Sequence, residues 1–202
     1  MEPMDLPYGK PSDWLIAFVD VETTGLTPGF HEMVDAGIVM ADLEVNEVDS
    51  FFERIMPEHP ERASDDALSC NGFSIKRWEK NGAVSKGEAV EKIIQFYMNA
   101  AGDGTQIDKN VIFCAYNESF DHHFLDNLFR SADEPIRQLH HYTMDLPSIA
   151  WGMGITNLHC NKVADRLNVK DEPKVSKGDD PWEHTGLTGA KLNKRIYLAL
   201  CG

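Results

Sequence analysis

The sequence contains no long apolar run, no paired-cysteine motif and no surplus of positive charge. Its longest fully apolar stretches, Trp14 to Val19 among them, cover six residues, against the roughly 20 that a membrane-spanning helix needs. Met1-Glu2-Pro3-Met4-Asp5 supplies neither a basic start nor an apolar core, so no secretory signal is expected. Cys70, Cys114, Cys160 and Cys201 lie far apart, and none belongs to a Cys-x-x-Cys pair. A zinc ribbon or redox dithiol is therefore not indicated, and reduced, mostly buried thiols in a cytoplasmic protein are expected. The 19 Lys and Arg residues stand against 33 Asp and Glu, a net charge of −14. A protein that grips duplex DNA by counterion release usually shows a basic face, which disfavours that function class here. Short or single-stranded substrates stay open if bound metal ions neutralise the contact zone. There is no internal repeat or low-complexity tract.

What is present fits one soluble domain of ordinary composition. Of 202 residues, 42% are hydrophobic and 26% charged, enough to bury a core without disulfides or structural metals. Three prolines within residues 1–13 read as an irregular arm, which leaves 14–202 as the domain. Trp14 to Val19 reads as a strand with apolar faces on both sides, hence central in a sheet, ending at the turn chemistry of Thr24 to Gly29. Met33 to Ala41 and Glu47 to Ile55 read as the next two strands, in hairpin-like order. Ser85 and Glu88 have capping-box spacing, and Val90, Ile93, Ile94 and Tyr97 follow at helical spacing, which predicts a helix over about 86–100. Val111 to Tyr116 is another buried strand, followed by a helical face of Phe120, Phe124, Leu125 and Leu128. His141 to Met144 reads as a short strand leading into a short helix. Leu158, Val163 and Leu167 suggest a further helix, 169–182 a polar loop, and Leu192, Ile196, Ala199 and Leu200 a C-terminal helix. This mixture predicts an α/β or α+β sheet with helical cover.

Three segments carry chemistry. In Asp20-Val21-Glu22-Thr23-Thr24-Gly25, two carboxylates stand two residues apart on the first strand. Strand side chains alternate faces, so both leave the same face. Two adjacent carboxylates on an inner strand repel each other and lose hydration unless a cation compensates them. Hard oxygen donors suit Mg²⁺ or Mn²⁺. The second segment, Asn117-Glu118-Ser119-Phe120-Asp121, opens a helix after a buried strand. Taken alone, Asp121 is a favourable first-turn carboxylate and Asn117 a cap-region residue. The third segment places His184 between a loop and the C-terminal helix, where a histidine serves as a mobile general base or simply faces solvent. The adjacent pairs His122-His123 and His140-His141 diverge too much to chelate. Lys191, Lys194 and Arg195 read as an ordinary solvated face, and Trp78 as a core anchor.

Together the segments resemble the DEDD superfamily of 3′–5′ exonucleases in its histidine subtype, DEDDh, the group of proofreading polymerase subunits and ribonuclease T. Asp20-x-Glu22-Thr23-Thr24-Gly25 and Asn117-x-x-Phe120-Asp121 match in full. Pro57, Ala67-Leu68-x-x-Asn71-Gly72-Phe73 before a helix, and Met144-Asp145-Leu146 agree as landmarks. The resemblance covers roughly residues 14–200. It implies a ribonuclease H-like α/β fold, a mixed five-stranded sheet flanked by helices. It further implies metal-dependent hydrolysis of terminal phosphodiesters of single-stranded DNA or RNA, with release of nucleoside monophosphates from the 3′ end. Asp20, Glu22 and Asp121 would hold two Mg²⁺ or Mn²⁺ ions, and His184 would be the general base. Thr23, Thr24, Leu26, Asn117 and Phe120 would meet the substrate, Leu26 as a wedge against the terminal base and the backbone near Thr23 at the 3′-hydroxyl. A monomer or homodimer is expected, with no membrane partner. A polymerase partner is possible in this family, but no tail for it is evident.

One position departs from the pattern. The family's third motif carries a metal-ligand aspartate five residues after the histidine, and Gly189 stands there. Within a helix, glycine costs about 1 kcal/mol relative to alanine and offers no evident structural gain. Three alternatives follow: Asp179, Asp180 or Glu183 replaces the ligand, a weakened site works at high Mn²⁺, or the chain binds 3′ ends or a protein partner without cutting.

Overall fold

The run beginning at Trp14 becomes β1 (Trp14–Thr23), the middle strand of a five-stranded sheet. The remaining strands are β2 (Met33–Ala41), β3 (Glu47–Arg54), β4 (Asn110–Ala115) and β5 (Tyr142–Asp145), in the order β3-β2-β1-β4-β5. The computed structural model describes residues 10–134, 142–170 and 184–202. Strand β2 runs antiparallel to both β1 and β3, while β1, β4 and β5 are parallel to one another. This is the mixed five-stranded α/β arrangement expected, with β1 at its centre because its residues Trp14 to Val19 are apolar and buried on both faces.

Helices cover both faces. They are α1 (Asp65–Asn71), α2 (Ile75–Lys80), α3 (Lys86–Ala100), α4 (Glu118–Ser131), α5 (Leu146–Gly152), α6 (Cys160–Arg166) and α7 (Gly186–Cys201). The odd-numbered residues of β1, Leu15, Ala17, Val19 and Val21, pack with α3 and α4 residues such as Ile93, Tyr97, Phe124 and Leu128. The even-numbered Ile16 and Phe18 pack on the opposite side with Leu146, Val163, Ile196 and Leu200 from α5, α6 and α7. The chemistry at the end of β1 therefore inherits a fixed geometry: positions 20 and 22 continue the even series and face α7.

Several helix boundaries follow from caps. Ser85 Oγ accepts the Glu88 N–H at the start of α3, and Thr185 and Thr188 form a reciprocal capping box at the start of α7. The segment around Ala67 and Leu68 does not merely precede a helix. It is α1 itself, begun by Ser64 and stopped by Gly72 at φ 62°. Asn71 is its only buried residue, so α1 shows no apolar face from which a period could be read. Trp78 is core, 1% exposed, with its indole N–H donated to the Val34 carbonyl at 2.6 Å. The thiols depart from expectation: Cys114 is buried, but Cys70 and Cys201 are exposed, because both lie near the ends of amphipathic helices on the solvent side. His141 and most of the polar loop, 171–182, lie outside the described residues. Among the described residues no helix is long and apolar enough to cross a membrane.

Candidate metal and catalytic site

Strand pairing changes at the end of β1. Its parallel partner β4 pairs with it only from Trp14 to Phe18, and the register with β2 shifts between Glu22 and Thr23. Irregularities of this kind re-aim side chains and recur beside active sites. Asp20 and Glu22 project from this end toward α7. His184, two residues before α7, brings its ring to Glu22, with Nδ1 2.7 Å from Oε1. In the tautomer that donates Nδ1–H to this carboxylate, Nε2 is the basic nitrogen. Ligand atoms of Asp20, Glu22 and His184 all lie within 4.8 Å of one another, the one such group among the described residues.

Asp121 comes to the same end of β1 from the first turn of α4, outside the 4.8 Å group of Asp20, Glu22 and His184 but near enough to act on Asp20 electrostatically. Beyond the end of β4 the Val21 N–H has no strand partner, and Asp121 Oδ1 accepts it at 2.9 Å. Asp121 is 3% exposed, so its role exceeds that of an exposed first-turn carboxylate. Asn117 begins the helix in the left-handed conformation at φ 63°, which asparagine tolerates better than most residues. Phe120 is half-buried and stacks on Phe124, ring centroids 4.8 Å apart.

The clustering strains the carboxylates electrostatically. Burial, then the charges of Asp121, Glu22 and Asp35, push the Asp20 carboxyl well above the usual range. Burial also drives Asp121 well up, opposed by the Val21 N–H it accepts. Asp35 was missed by the sequence reading. It sits on β2 opposite Glu22, is 1% exposed, and is pushed up to about 7 by burial and by Glu22. Its signal in the sequence was a lone charge within the otherwise apolar Met33 to Ala41.

The turn after β1 holds Thr23, Thr24 and Leu26, three of the residues expected to meet a substrate. Thr24 is fully buried, and its Oγ1 accepts the Glu32 N–H at 2.9 Å, so its side chain builds the turn. Thr23 is 6% exposed, and its hydroxyl donates to Gly25 O at 2.7 Å. Leu26 at the tip is 82% exposed. Lys194 pairs with Glu47 at 3.0 Å with only 19% of its side chain exposed, so Lys191, Lys194 and Arg195 form a half-buried face rather than the solvated one expected.

Gly189 has a structural reason after all. A Cβ there would lie 2.1 Å from Asp20 Oδ2 and 2.9 Å from Asp20 Cβ. The missing side chain leaves the space that the Asp20 carboxylate fills. Gly189→Ala is therefore expected to lower the melting temperature despite alanine's better helix propensity of about 1 kcal/mol; differential scanning calorimetry measures it. The proposed substitute ligands Asp179, Asp180 and Glu183 lie outside the described residues.

The donor set fits a divalent cation. Octahedral bonds of about 2.1 Å separate ligand atoms by roughly 3 Å when adjacent and roughly 4.2 Å when opposite. The ligand atoms of Asp20, Glu22 and His184 already lie within 4.8 Å of one another, and a cation there would offset the burial and mutual repulsion that raise Asp20.

No family model and no curated protein matches the chain. Solved structures do. The nuclease domain of 3′hExo, a DEDDh family member bound to rAMP, is 16% identical with a TM-score of 0.68, over 91% of this chain and 90% of that one. A 3′-exonuclease solved in specific recognition of the histone mRNA stem-loop is 15% identical, TM-score 0.67, over 91% of this chain and 62% of that one. E. coli Exonuclease I in complex with a dT13 oligonucleotide is 12% identical, TM-score 0.69, over 92% of this chain but 40% of that one. At these identities the likeness concerns architecture: the chain has the ribonuclease H-like fold of the DEDDh 3′-exonucleases.

Proposed function

We propose that the chain is a metal-dependent 3′–5′ exonuclease that hydrolyses the terminal phosphodiester of single-stranded DNA or RNA. The observation that carries this reading is the convergence of Asp20, Glu22, Asp121 and His184 at the end of β1. Asp20, Glu22 and Asp121 would hold Mg²⁺ or Mn²⁺. When bound, the metal activates water and stabilises the leaving oxygen. His184 takes the proton of the attacking water at Nε2, while its Nδ1–H is oriented by Glu22. The water oxygen bonds to phosphorus, the bond from phosphorus to the 3′-oxygen of the preceding nucleotide breaks, that oxygen takes a proton from solvent to become the new 3′-hydroxyl of the strand, and a nucleoside 5′-monophosphate leaves. Leu26, exposed at the tip of the turn, wedges against the terminal base. The Thr23 backbone, Asn117 and Phe120 border the same end of the sheet.

A 5′-labelled single strand incubated with Mn²⁺ or Mg²⁺ tests the reading: it should shorten stepwise from its 3′ end with release of monophosphates. His184→Ala is expected to slow release by about 10²–10⁴-fold while leaving strand binding intact by fluorescence anisotropy. A second reading rests on Gly189, where the family ligand is absent and the Asp20 carboxylate fills its place. In that reading the chain binds 3′ ends or a protein partner without cutting. Tight metal-independent strand binding with no monophosphate release under either metal selects it.

A further inference from the structure

Asp35 has no part in the chemistry above, yet it is buried, 1% exposed. A buried carboxylate is costly unless hydrogen-bonded, so what it bonds is informative. Its Oδ1 accepts the Gly186 N–H at 2.8 Å. Gly186 opens α7, and its N–H is one of the donors that a helix leaves without an internal acceptor. Asp35 is also the β2 residue paired across the sheet with Glu22. The two acids thus hold opposite ends of one short segment. Glu22 holds the ring of His184, and Asp35 holds the backbone two residues later.

The contact has little slack. A Cβ on Gly37 would lie 2.0 Å from the Gly186 carbonyl carbon, and one on Gly186 would lie 2.6 Å from the Gly37 nitrogen. Two glycines therefore seat the start of α7 directly on β2, and Asp35 fixes the direction in which the chain leaves toward His184. We propose that Asp35 is a positioning residue that sets the His184 imidazole against Glu22 by holding the Gly186 N–H. Its consequence for catalysis rests on the exonuclease reading; its consequence for the imidazole does not.

The test compares Asp35→Asn, which keeps an oxygen acceptor, with Asp35→Ala, which has none. Asp35→Leu, close in shape to aspartate and without an acceptor, replaces the alanine variant should that one melt early. The first readout is the long-range ¹H–¹⁵N spectrum of the His184 ring in metal-free protein. Wild type and Asp35→Asn should show a single Nδ1–H form. Asp35→Ala or Asp35→Leu should show an averaged mixture of tautomers with circular dichroism unchanged. The second readout is monophosphate release from single strands with Mn²⁺. At least a tenfold fall in kcat with KM within twofold is expected for Asp35→Ala, and a change under threefold for Asp35→Asn. An unchanged ring spectrum in Asp35→Ala and Asp35→Leu overturns the proposal, as does a loss in Asp35→Asn equal to that in Asp35→Ala. If the wild type releases no monophosphate, the exonuclease reading fails while the ring spectrum still decides the role of Asp35.

Discussion

Metal-free protein is expected to melt at a higher temperature at pH 5.5 than at pH 8, and a millimolar divalent cation is expected to remove or invert that order. Asp20, Asp121 and Asp35 all bind protons more tightly in the folded chain than in the unfolded one. Folding therefore takes up protons between the unfolded value near 4 and the raised folded value, and stability falls as pH rises through that window. For Asp35 the window runs from 3.8 to about 7. The part between pH 5.5 and 7 corresponds to about 2 kcal/mol, or roughly 4–8 °C for a domain of this size. Glu32, whose carboxyl is lowered by the side chain of Lys86 and the N–H of His59, acts below pH 4.5 and does not disturb the comparison. The net charge of −14 works in the same direction. A bound cation instead needs the ionised carboxylates, so its stabilisation is greatest at pH 8, about 2.7 kcal/mol at 100 times its dissociation constant. Thermal melts at four pH values, with EDTA or Mn²⁺, measure both effects. A flat profile in EDTA, or a melting temperature indifferent to Mn²⁺, would count against a cation site at the end of β1.

Asp20→Asn is expected to raise stability and abolish hydrolysis at the same time. Asp20 carries the repulsion of three other carboxylates in the metal-free chain. An amide of the same shape removes that repulsion and can donate to those carboxylates, so the variant should melt above wild type in EDTA at pH 8. The same change removes an anionic metal ligand facing His184 and Glu22. Monophosphate release should fall at least about 10³-fold, in line with the several kcal/mol that a metal contributes to a developing oxyanion. The stabilisation by Mn²⁺ should shrink with it. This inverse pairing is diagnostic, because a substitution that only damaged the fold would lower both quantities. An Asp20→Asn chain that melts below wild type in EDTA would mean that the carboxylate is supported by protein contacts rather than held in reserve for a cation.

Most of the architecture could be read in one dimension because its signals are local. The apolar run from Trp14, the turn after Thr24, the cap at Ser85 and the periodicity of α3, α4 and α7 each lie within a few residues. Helix α1 was not legible, since it offers a cap and a terminating glycine but buries only Asn71 and so shows no apolar face. At the site, the even spacing of Asp20 and Glu22 was enough to put them on one face. Asp35 showed only as a lone charge in an apolar strand, and its role was not legible because its partner, Gly186, lies 151 residues away and bonds through its backbone, which leaves no pattern in the side chains. The thiols at Cys70 and Cys201 went astray because burial depends on which way a helix turns at its end.

The sequence by itself determined that a strand apolar on both faces ends in two carboxylates on one side, since alternation of side chains follows from backbone geometry alone. It equally determined that a helix begins at Asp121's turn and another just after His184. Only the tertiary structure decided what Gly189 does, because the carboxylate that occupies its missing side chain comes from a strand 169 positions earlier. Only packing could place α7 so tightly on β2 that Asp35 and Glu22 grip the two ends of one three-residue segment. Contacts between distant segments depend on how close two backbones can approach, and that distance is set by side chains that are absent.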